Sequence, residues 1–423
     1  MNKQATYRGF EPGPHNSVPT AITTAPNIQQ HNDMPWNIRQ FHHNQLSSVN
    51  LSADLSKVFP WNNSNWSQTD FFRLRQGKVG AQFWVAYVPC STQYYNAVQM
   101  TVEQIDVIKR MIEAYPEHLQ LATSVKDIRD AHKKGKIAGL IGVEGGHSIG
   151  NSLSVLRMMH DLGTSYLTLT HNCNTPWAQA HFHGHNTSAN RGHMMPAVGL
   201  TEFGKAVIEE MNRIGMMVDL SHASEATSRA VLKVTKAPVI FSHSAAQAIC
   251  NITRNVADDV LLQIARNGGI VMVPFYPQFV SCSAAGSMFD ARNGGIVMVP
   301  FYPQFVSCSA AGSMFDVIRN IDHIRNIAGI DHVGIGSDFD GIDSTVTGLE
   351  HVGKYPDLLV ELLKNEKWSV NDVKKLVGGN LLRVFEKVQE VSKEIRKSTR
   401  PPAEDLIPLN ELPEITNCSY NGM

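Results

Sequence analysis

The sequence predicts an α/β chain folded as a (β/α)8 barrel of the TIM type. Three observations predict it. Eight apolar runs of strand length recur along the 423 residues, separated by stretches of helical periodicity. Each run is nearly continuous in its hydrophobicity, as a parallel strand covered on both faces requires. Nearly every run ends, on its C-terminal side, in an ionisable residue, and in such a barrel those ends converge on one mouth.

The first expected strand is Asn27 to Asp33, and the second Val79 to Val88. Ile137 to Glu144 is the third and Tyr166 to Asn172 the fourth. Met216 to His222 and Pro238 to His243 are the fifth and sixth. Gly269 to Val273, or its copy Gly295 to Val299, is the seventh, and Val333 to Asp338 the eighth. Amphipathic stretches expected to be helical lie between them: Val102 to His118, Val125 to Lys134, Leu153 to Leu162, Glu202 to Ile214, Glu225 to Lys236, Asp258 to Arg266 and Val317 to Ala328. Gly163 and Gly215 stop two of these, and the Ser221/Ser224 region starts another. One catalytic domain is expected over residues 27–385, with a polar, Pro-rich tail at 1–26 and a C-terminal extension at 386–423.

Charge and composition narrow the function. Lys plus Arg number 37 and Asp plus Glu 38, a net charge of -1, so nothing would drive phosphate neutralisation and a nucleic-acid partner is disfavoured. With 43% hydrophobic residues, the bulk of the chain is not intrinsically disordered. No apolar run approaches the roughly 18 to 20 residues of a membrane helix. The N-terminal residues lack the basic-then-apolar pattern of a signal peptide, and residues 400–423 lack the apolar tail of a lipid-anchor signal.

Residues 265–290, ARNGGIVMVPFYPQFVSCSAAGSMFD, recur unchanged as residues 291–316. Structural repeats diverge between copies and stack in about three or more units, so two identical copies do not describe a solenoid. A recent tandem duplication, or an error of sequence assembly, accounts for them. Only one copy can supply the seventh strand, because a barrel closes with a fixed strand number and shear.

The residues at the strand exits form a constellation. His31 and Asp33 stand at i and i+2 of a strand, on the same side. Glu144 ends the run IAGLIGVE, where a carboxylate must be paired, protonated or metal-bound. His171 ends LTLTH, His222 ends MMVDLSH, and His243 ends VIFSH. Asp338 ends the eighth run. Each alone reads as an ordinary buried or capping residue. Together, at matching topological positions, they read as a binuclear metal site at the C-terminal ends of the strands. The ligand set is nitrogen and oxygen without thiolate, which suits two zinc ions in an open catalytic site. His42, His43, His181, His183, His185 and His193 read as solvated histidines, and His147 is left open.

The runs HNDMPWNIR, TDFFRLRQGKVGAQFWVAYVPC, IGVEGGHSI, LTLTHNCNTPWA, VDLSHAS, FSHSAA, TRNVADD and VGIGSDFDG, in order over about residues 27–418, resemble the membrane (renal-type) dipeptidase family. The resemblance implies a (β/α)8 barrel that hydrolyses dipeptides with two zinc ions and a hydroxide shared between them. It implies that His31 and Asp33 hold one zinc, that His222 and His243 hold the other, and that Glu144 bridges them. His171, Arg254 and Asp338 would contact substrate, with His171 steadying the oxyanion and Asp338 moving the proton. Tyr276 or Tyr302 would add a further contact. The family usually has Asp-Gly before His-x-Asp, whereas this chain has Gln29-Gln30.

The family also implies a Cys90–Cys173 disulfide and a second one from Cys250 to Cys282 or Cys308. Cys418 would link two subunits of a homodimer. An extracellular or cell-surface, lipid-anchored (GPI) protein is implied, and six N-x-S/T sequons are compatible with it. Two rivals remain. One is another binuclear metal hydrolase, of deaminase or lactonase type, which commonly shows His-x-His on the first strand. The other is an inactive surface-binding protein that keeps the barrel.

Overall fold

The computed structural model describes residues 26–181, 199–281, 312–398, 401–408 and 411–412. Its strands are β1 (Asn27–Gln29), β2 (Val79–Tyr87), β3 (Leu119–Leu121), β4 (Ile137–Glu144), β5 (Thr164–Thr168), β6 (Met217–Asp219), β7 (Ile240–Phe241), β8 (Ile270–Val273) and β9 (Val333–Ile335). All pair in parallel, in the order β1-β2-β4-β5-β6-β7-β8-β9, with β3 beside the start of β4. A bridge from Asn32 to Phe339 brings the two ends of this order together, with Asp33 N–H donating to the Phe339 carbonyl at 3.1 Å. The result is the expected eight-stranded barrel plus one short extra strand. β3 is too brief, and too mixed in character, to stand out as a run of its own.

One register line crosses the barrel near its mouth. Tyr87 stands opposite Glu144, Glu144 opposite Thr168, Thr168 opposite Asp219, and Asp219 opposite Ile240. Helices cover the outside, and their ends carry the expected signals. The Ser152 and Ser224 side chains cap their helices by accepting from Val155 N–H and Thr227 N–H. Gly215 closes the helix Glu202–Ile214 at φ 90°, a left-handed conformation favourable to glycine. Inside, residues of successive strands such as Ile28, Phe83, Leu140, Tyr166, Met217 and Met272 form one buried cluster. Gly142 makes room in it, since a Cβ there would stand 2.1 Å from the Tyr166 ring.

Two expectations change. The first, fourth, fifth, sixth and eighth strands leave the ladder earlier than their apolar runs do, at Gln29, Thr168, Asp219, Phe241 and Ile335, so His31 and Asp33 follow the first strand rather than stand in it. His171, His222, His243 and Asp338 therefore sit on the loops just beyond, where the backbone is free to turn side chains over the mouth. His222 and Asp338 do so at positive φ, 64° and 67°. The boundary at residue 385 falls inside a helix, because Asn380–Lys397 is continuous. Its buried Leu381, Val384, Phe385, Val388 and Val391 join the same cluster as the strand interior. Beyond it, Ala403 is held by Glu210 and Arg157 through its N–H and carbonyl. Among the described residues, no helix is long and apolar enough to cross a membrane.

The seventh barrel strand comes from the first copy of the duplication, pairing with Ile240–Phe241 on one side and Val333–Ile335 on the other. The second copy's Gly295–Val299 lies outside the described residues, and its last residues begin the helix Met314–Ala328. With β7, β8 and β9 already adjacent, the ladder holds no place for a second GGIVMV run, an uncharged segment with high β propensity. Deleting residues 291–316 is therefore expected to raise soluble yield and the thermal midpoint. Equal yield and equal or higher stability of the 423-residue chain would contradict this.

Candidate metal centre

The mouth of the barrel gathers the expected ligands within a few ångströms. His31 Nε2 lies 3.3 Å from Asp33 Oδ2, 3.5 Å from Glu144 Oε1 and 3.7 Å from Asp338 Oδ1. The same Glu144 oxygen is 3.2 Å from His222 Nε2 and 3.4 Å from His243 Nε2. The groups His31–Asp33–Glu144, Glu144–His171–His222 and His31–His243–Asp338 each bring donor atoms within 4.8 Å of one another. All are buried except His171, which is half-buried.

The outer hydrogen bonds of the three histidines agree on one tautomer. His222 Nδ1 faces Asn172 Oδ1 at 3.1 Å, an acceptor. His243 Nδ1 faces Ser242 Oγ at 2.8 Å, and that hydroxyl donates to Asp219 at 2.6 Å. His31 Nδ1 faces Tyr166 Oη at 3.1 Å, whose hydroxyl donates to the Gln30 carbonyl at 3.2 Å. Each Nδ1 thus carries the hydrogen and each Nε2 presents a lone pair inward. The His222 and His243 Nε2 atoms are nevertheless 3.0 Å apart. Two lone pairs at that distance, beside clustered carboxylates, are reconciled by cations, and imidazole with carboxylate suits zinc. The residues present fit the metal.

The electrostatics mark where positive charge is wanted. Burial opposes ionisation of Glu144, but the nearby His31, His171 and His222 rings outweigh it and hold its pKa well below the usual range. Burial works against charging His31, but Glu144 and Asp33 raise its pKa well above the ordinary value. Burial also holds His222 and His243 well below theirs, helped by Arg254 in both, so both stay neutral as ligands must. Asp338 is pushed up to about 8, mainly by burial and then by Asp33 and Glu144, against the pull of His31 and Arg254. Gly341 makes space here, since a Cβ would stand 2.2 Å from Asp33 Oδ2.

Above the donors lies a cleft of about 540 Å³, with Trp36, Trp66, Tyr87, His171, Tyr276 and Phe279 in its walls. His171 packs on Tyr87 and His222, ring centroids 5.0 and 4.4 Å away. It is held near the Cys90–Cys173 disulfide, which forms as expected, with Cys90 Sγ 3.9 Å from its Nδ1. Arg254 stands behind the lining residues, buried, with Nη1 on Ser244 Oγ at 2.7 Å and Nη2 on the His243 carbonyl at 2.9 Å. Among the described residues, its Nε–H finds no hydrogen-bond partner. Cys250 is also disulfide-bonded. Cys282, Cys308, Cys418, Tyr302, His183, His185 and His193 lie outside the described residues.

Several residues escaped the sequence reading. His181 is not solvated. It is 7% exposed, lines the cleft, donates its backbone N–H to His222 and faces Asn172 Oδ1 at 3.3 Å. His42 is half-buried under Trp61, whose indole N–H donates to it at 3.0 Å. Asn172, Tyr166, Ser242 and Asp219 hold the ligands, and only Asp219 left a trace, as a carboxylate inside the apolar run MMVDL. Gln29 and Gln30 are buried, and Gln30 reaches the centre through its main-chain carbonyl.

Known proteins share the sequence and the fold of this chain. The model of the membrane dipeptidase family (Peptidase family M19) matches residues 17–292 and 290–399, two segments that meet at the junction of the duplicated copies. The chain belongs to this family. It is 42% identical to Dipeptidase 3 of Mus musculus over 367 residues, 86% of this chain and 65% of that protein. It is 42% identical to Dipeptidase 3 of Homo sapiens over 388 residues, 92% of this chain and 70% of that one. The chain thus spans about two thirds of the length of these curated relatives. The solved structure of the probable dipeptidase PvdM from Pseudomonas aeruginosa shares the fold at 20% identity and a TM-score of 0.70, over 88% of this chain and all of that one. A metallopeptidase from Rhodobacter sphaeroides, solved with a phosphinate mimic of the dipeptide L-Ala-D-Ala, does so at 22% identity and 0.67, over 86% and 99%.

His147, left open by the sequence, is structural. Its Nε2–H donates to the Val88 carbonyl at 3.0 Å, and burial, with His171 adding, lowers its pKa to about 4. The unfolded chain, with the ordinary value near 6.5, then takes up a proton that the folded chain refuses. Stability is lost as pH falls below about 6.5 and levels off near pH 4, by at most about 3 kcal/mol from this residue. Urea midpoints at pH 7 and pH 4.5 are expected to differ less in His147→Gln than in the wild type. An identical pH dependence would contradict the assignment.

Proposed function

We propose that the protein is a zinc metallopeptidase that hydrolyses dipeptides to free amino acids in the cleft above the strand ends. The observation that carries this reading is the single Glu144 oxygen shared by three inward-facing Nε2 atoms. Two zinc ions would be held by His31, Asp33 and Glu144, and by Glu144, His222 and His243. Such ions polarise a carbonyl and acidify a water molecule.

The protein's own groups do the rest. Asp338, buried among the donors, would be held as a carboxylate once cations join them, and in that form accepts the proton of the attacking water and returns it to the leaving amine. His171, on the cleft wall, offers a ring N–H to the oxygen that gains charge. Arg254 receives the free carboxylate of the dipeptide. Its guanidinium packs 5.0 Å from the Phe279 ring centroid, and its Nε–H is still available. Burial lowers its pKa to about 10, so it remains charged at neutral pH. Tyr276 adds a contact from the rim. Selection of a free carboxylate so close to the scissile bond favours a peptide over the deaminase and lactonase alternatives. The complete donor set argues against an inactive binding protein, which need not keep it. The Cys90–Cys173 disulfide fits an oxidising compartment, and we read the protein as a cell-surface enzyme, lipid-anchored, with Cys418 joining a homodimer.

Purified protein is expected to carry about two zinc ions per chain and to cleave simple dipeptides. Glu144→Gln is expected to lose bound zinc and to slow hydrolysis by about 10³-fold or more. Unchanged zinc content and rate in that variant would overturn the bridging role.

Substrate selection is tested separately. A dipeptide amide is expected to react at least about tenfold more slowly than the free acid, and Arg254→Lys to raise KM by about tenfold. Equal rates on acid and amide would overturn the role of Arg254.

A further inference from the structure

Asp219 ends β6 in the register line that also holds Glu144, and it touches none of the cleft. Its carboxylate is fully buried, and four donors converge on it. Oδ1 accepts from Ser221 N–H at 3.1 Å and from Ser242 N–H at 2.9 Å. Oδ2 accepts from the Thr168 and Ser242 hydroxyls, each at 2.6 Å. The roughly four acceptor positions of a carboxylate are then filled, and the group can only accept.

That constraint propagates. The Ser242 hydroxyl has one hydrogen, and Asp219 takes it. What Ser242 turns toward His243 Nδ1, 2.8 Å away, is therefore a lone pair. His243 must answer with an Nδ1–H, which leaves its Nε2 free to face Glu144. We propose that Asp219 is a positioning residue that fixes the tautomer of His243 through the Ser242 hydroxyl, and with it the affinity of the second zinc position. This rests on the metal reading given under Proposed function.

An asparagine at position 219 has nearly the same shape but can donate. Its amide hydrogen would go to Ser242 Oγ, the hydroxyl would turn to donate to His243 Nδ1, and the histidine hydrogen would move to Nε2, where it blocks the metal. The same carboxylate steadies a second branch. Ser221 Oγ accepts from His243 N–H at 2.9 Å and lies 3.2 Å from Ser244 Oγ, which accepts from Arg254 at 2.7 Å.

The test is zinc affinity, measured by competition with a chelator on the full-length chain, with histidine ¹⁵N NMR of the zinc-free protein. Asp219→Asn and Ser242→Ala are each expected to weaken one of two zinc ions by about 10- to 100-fold and to leave the other nearly unchanged. Ser242→Thr, which keeps the hydroxyl, is expected to stay within about twofold of the wild type. The His243 signals are expected to change from the Nδ1–H to the Nε2–H form in Asp219→Asn. If Asp219→Asn fails to fold, Ser242→Ala decides. A wild type with two zinc ions and variants of unchanged affinity would overturn this proposal alone. A wild type without zinc would overturn the metal reading and this proposal together.

Discussion

The barrel mouth is organised around an electrostatic demand. Three carboxylates, Asp33, Glu144 and Asp338, stand within 3.7 Å of one imidazole nitrogen. Two further imidazoles turn their Nε2 atoms toward the same Glu144 oxygen. Burying so many like charges in a low dielectric is costly unless positive charge joins them. Much of the surrounding structure serves to hold these groups in place despite that cost. Strand interiors are mostly apolar up to the register line of Glu144, Thr168 and Asp219, with exceptions such as Gln29 and Gln82, and polar just beyond it.

The seam of the barrel lies at the same place. β1 and β9 meet through the Asn32–Phe339 bridge, between the candidate ligands His31 and Asp33. Asn32 donates its side-chain amide to Thr69 at 2.8 Å and to Asp340 at 3.1 Å, and Asp340 also accepts from Gln68 N–H at 2.8 Å. Burial raises Asp340 to about 6, and these bonds oppose the rise. The bond that closes the barrel is thus the one that fixes the His-x-Asp pair just beyond a three-residue strand.

The eight barrel strands were legible because apolar runs such as Ile137–Glu144 are too short to span a membrane as a helix and fit a parallel strand covered on both faces. The candidate ligands were legible because histidine or carboxylate at the end of such a run violates burial rules unless paired. What stayed hidden depends on contacts across the fold. His181 looks solvated in a Gly- and Asn-rich loop, and only the approach of His222 and Asn172 buries it. The helix Asn380–Lys397 looks like an extension until its apolar face meets the barrel interior. Asp219 and Ser242 are ordinary strand-end residues until β5, β6 and β7 align their side chains. Arg254 was assigned by resemblance, and its placement behind the cleft, engaged with Ser244 and the His243 carbonyl, could not be read from the sequence.

The central claim is that Glu144 is the shared ligand of two cations. A crystal structure of the zinc-loaded protein, with diffraction recorded on both sides of the zinc absorption edge, tests it directly. Two anomalous peaks about 3.5 to 4 Å apart are expected, one between His31 and Asp33, the other between His222 and His243, with Glu144 touching both. A single peak, or two peaks of which Glu144 touches only one, would contradict it.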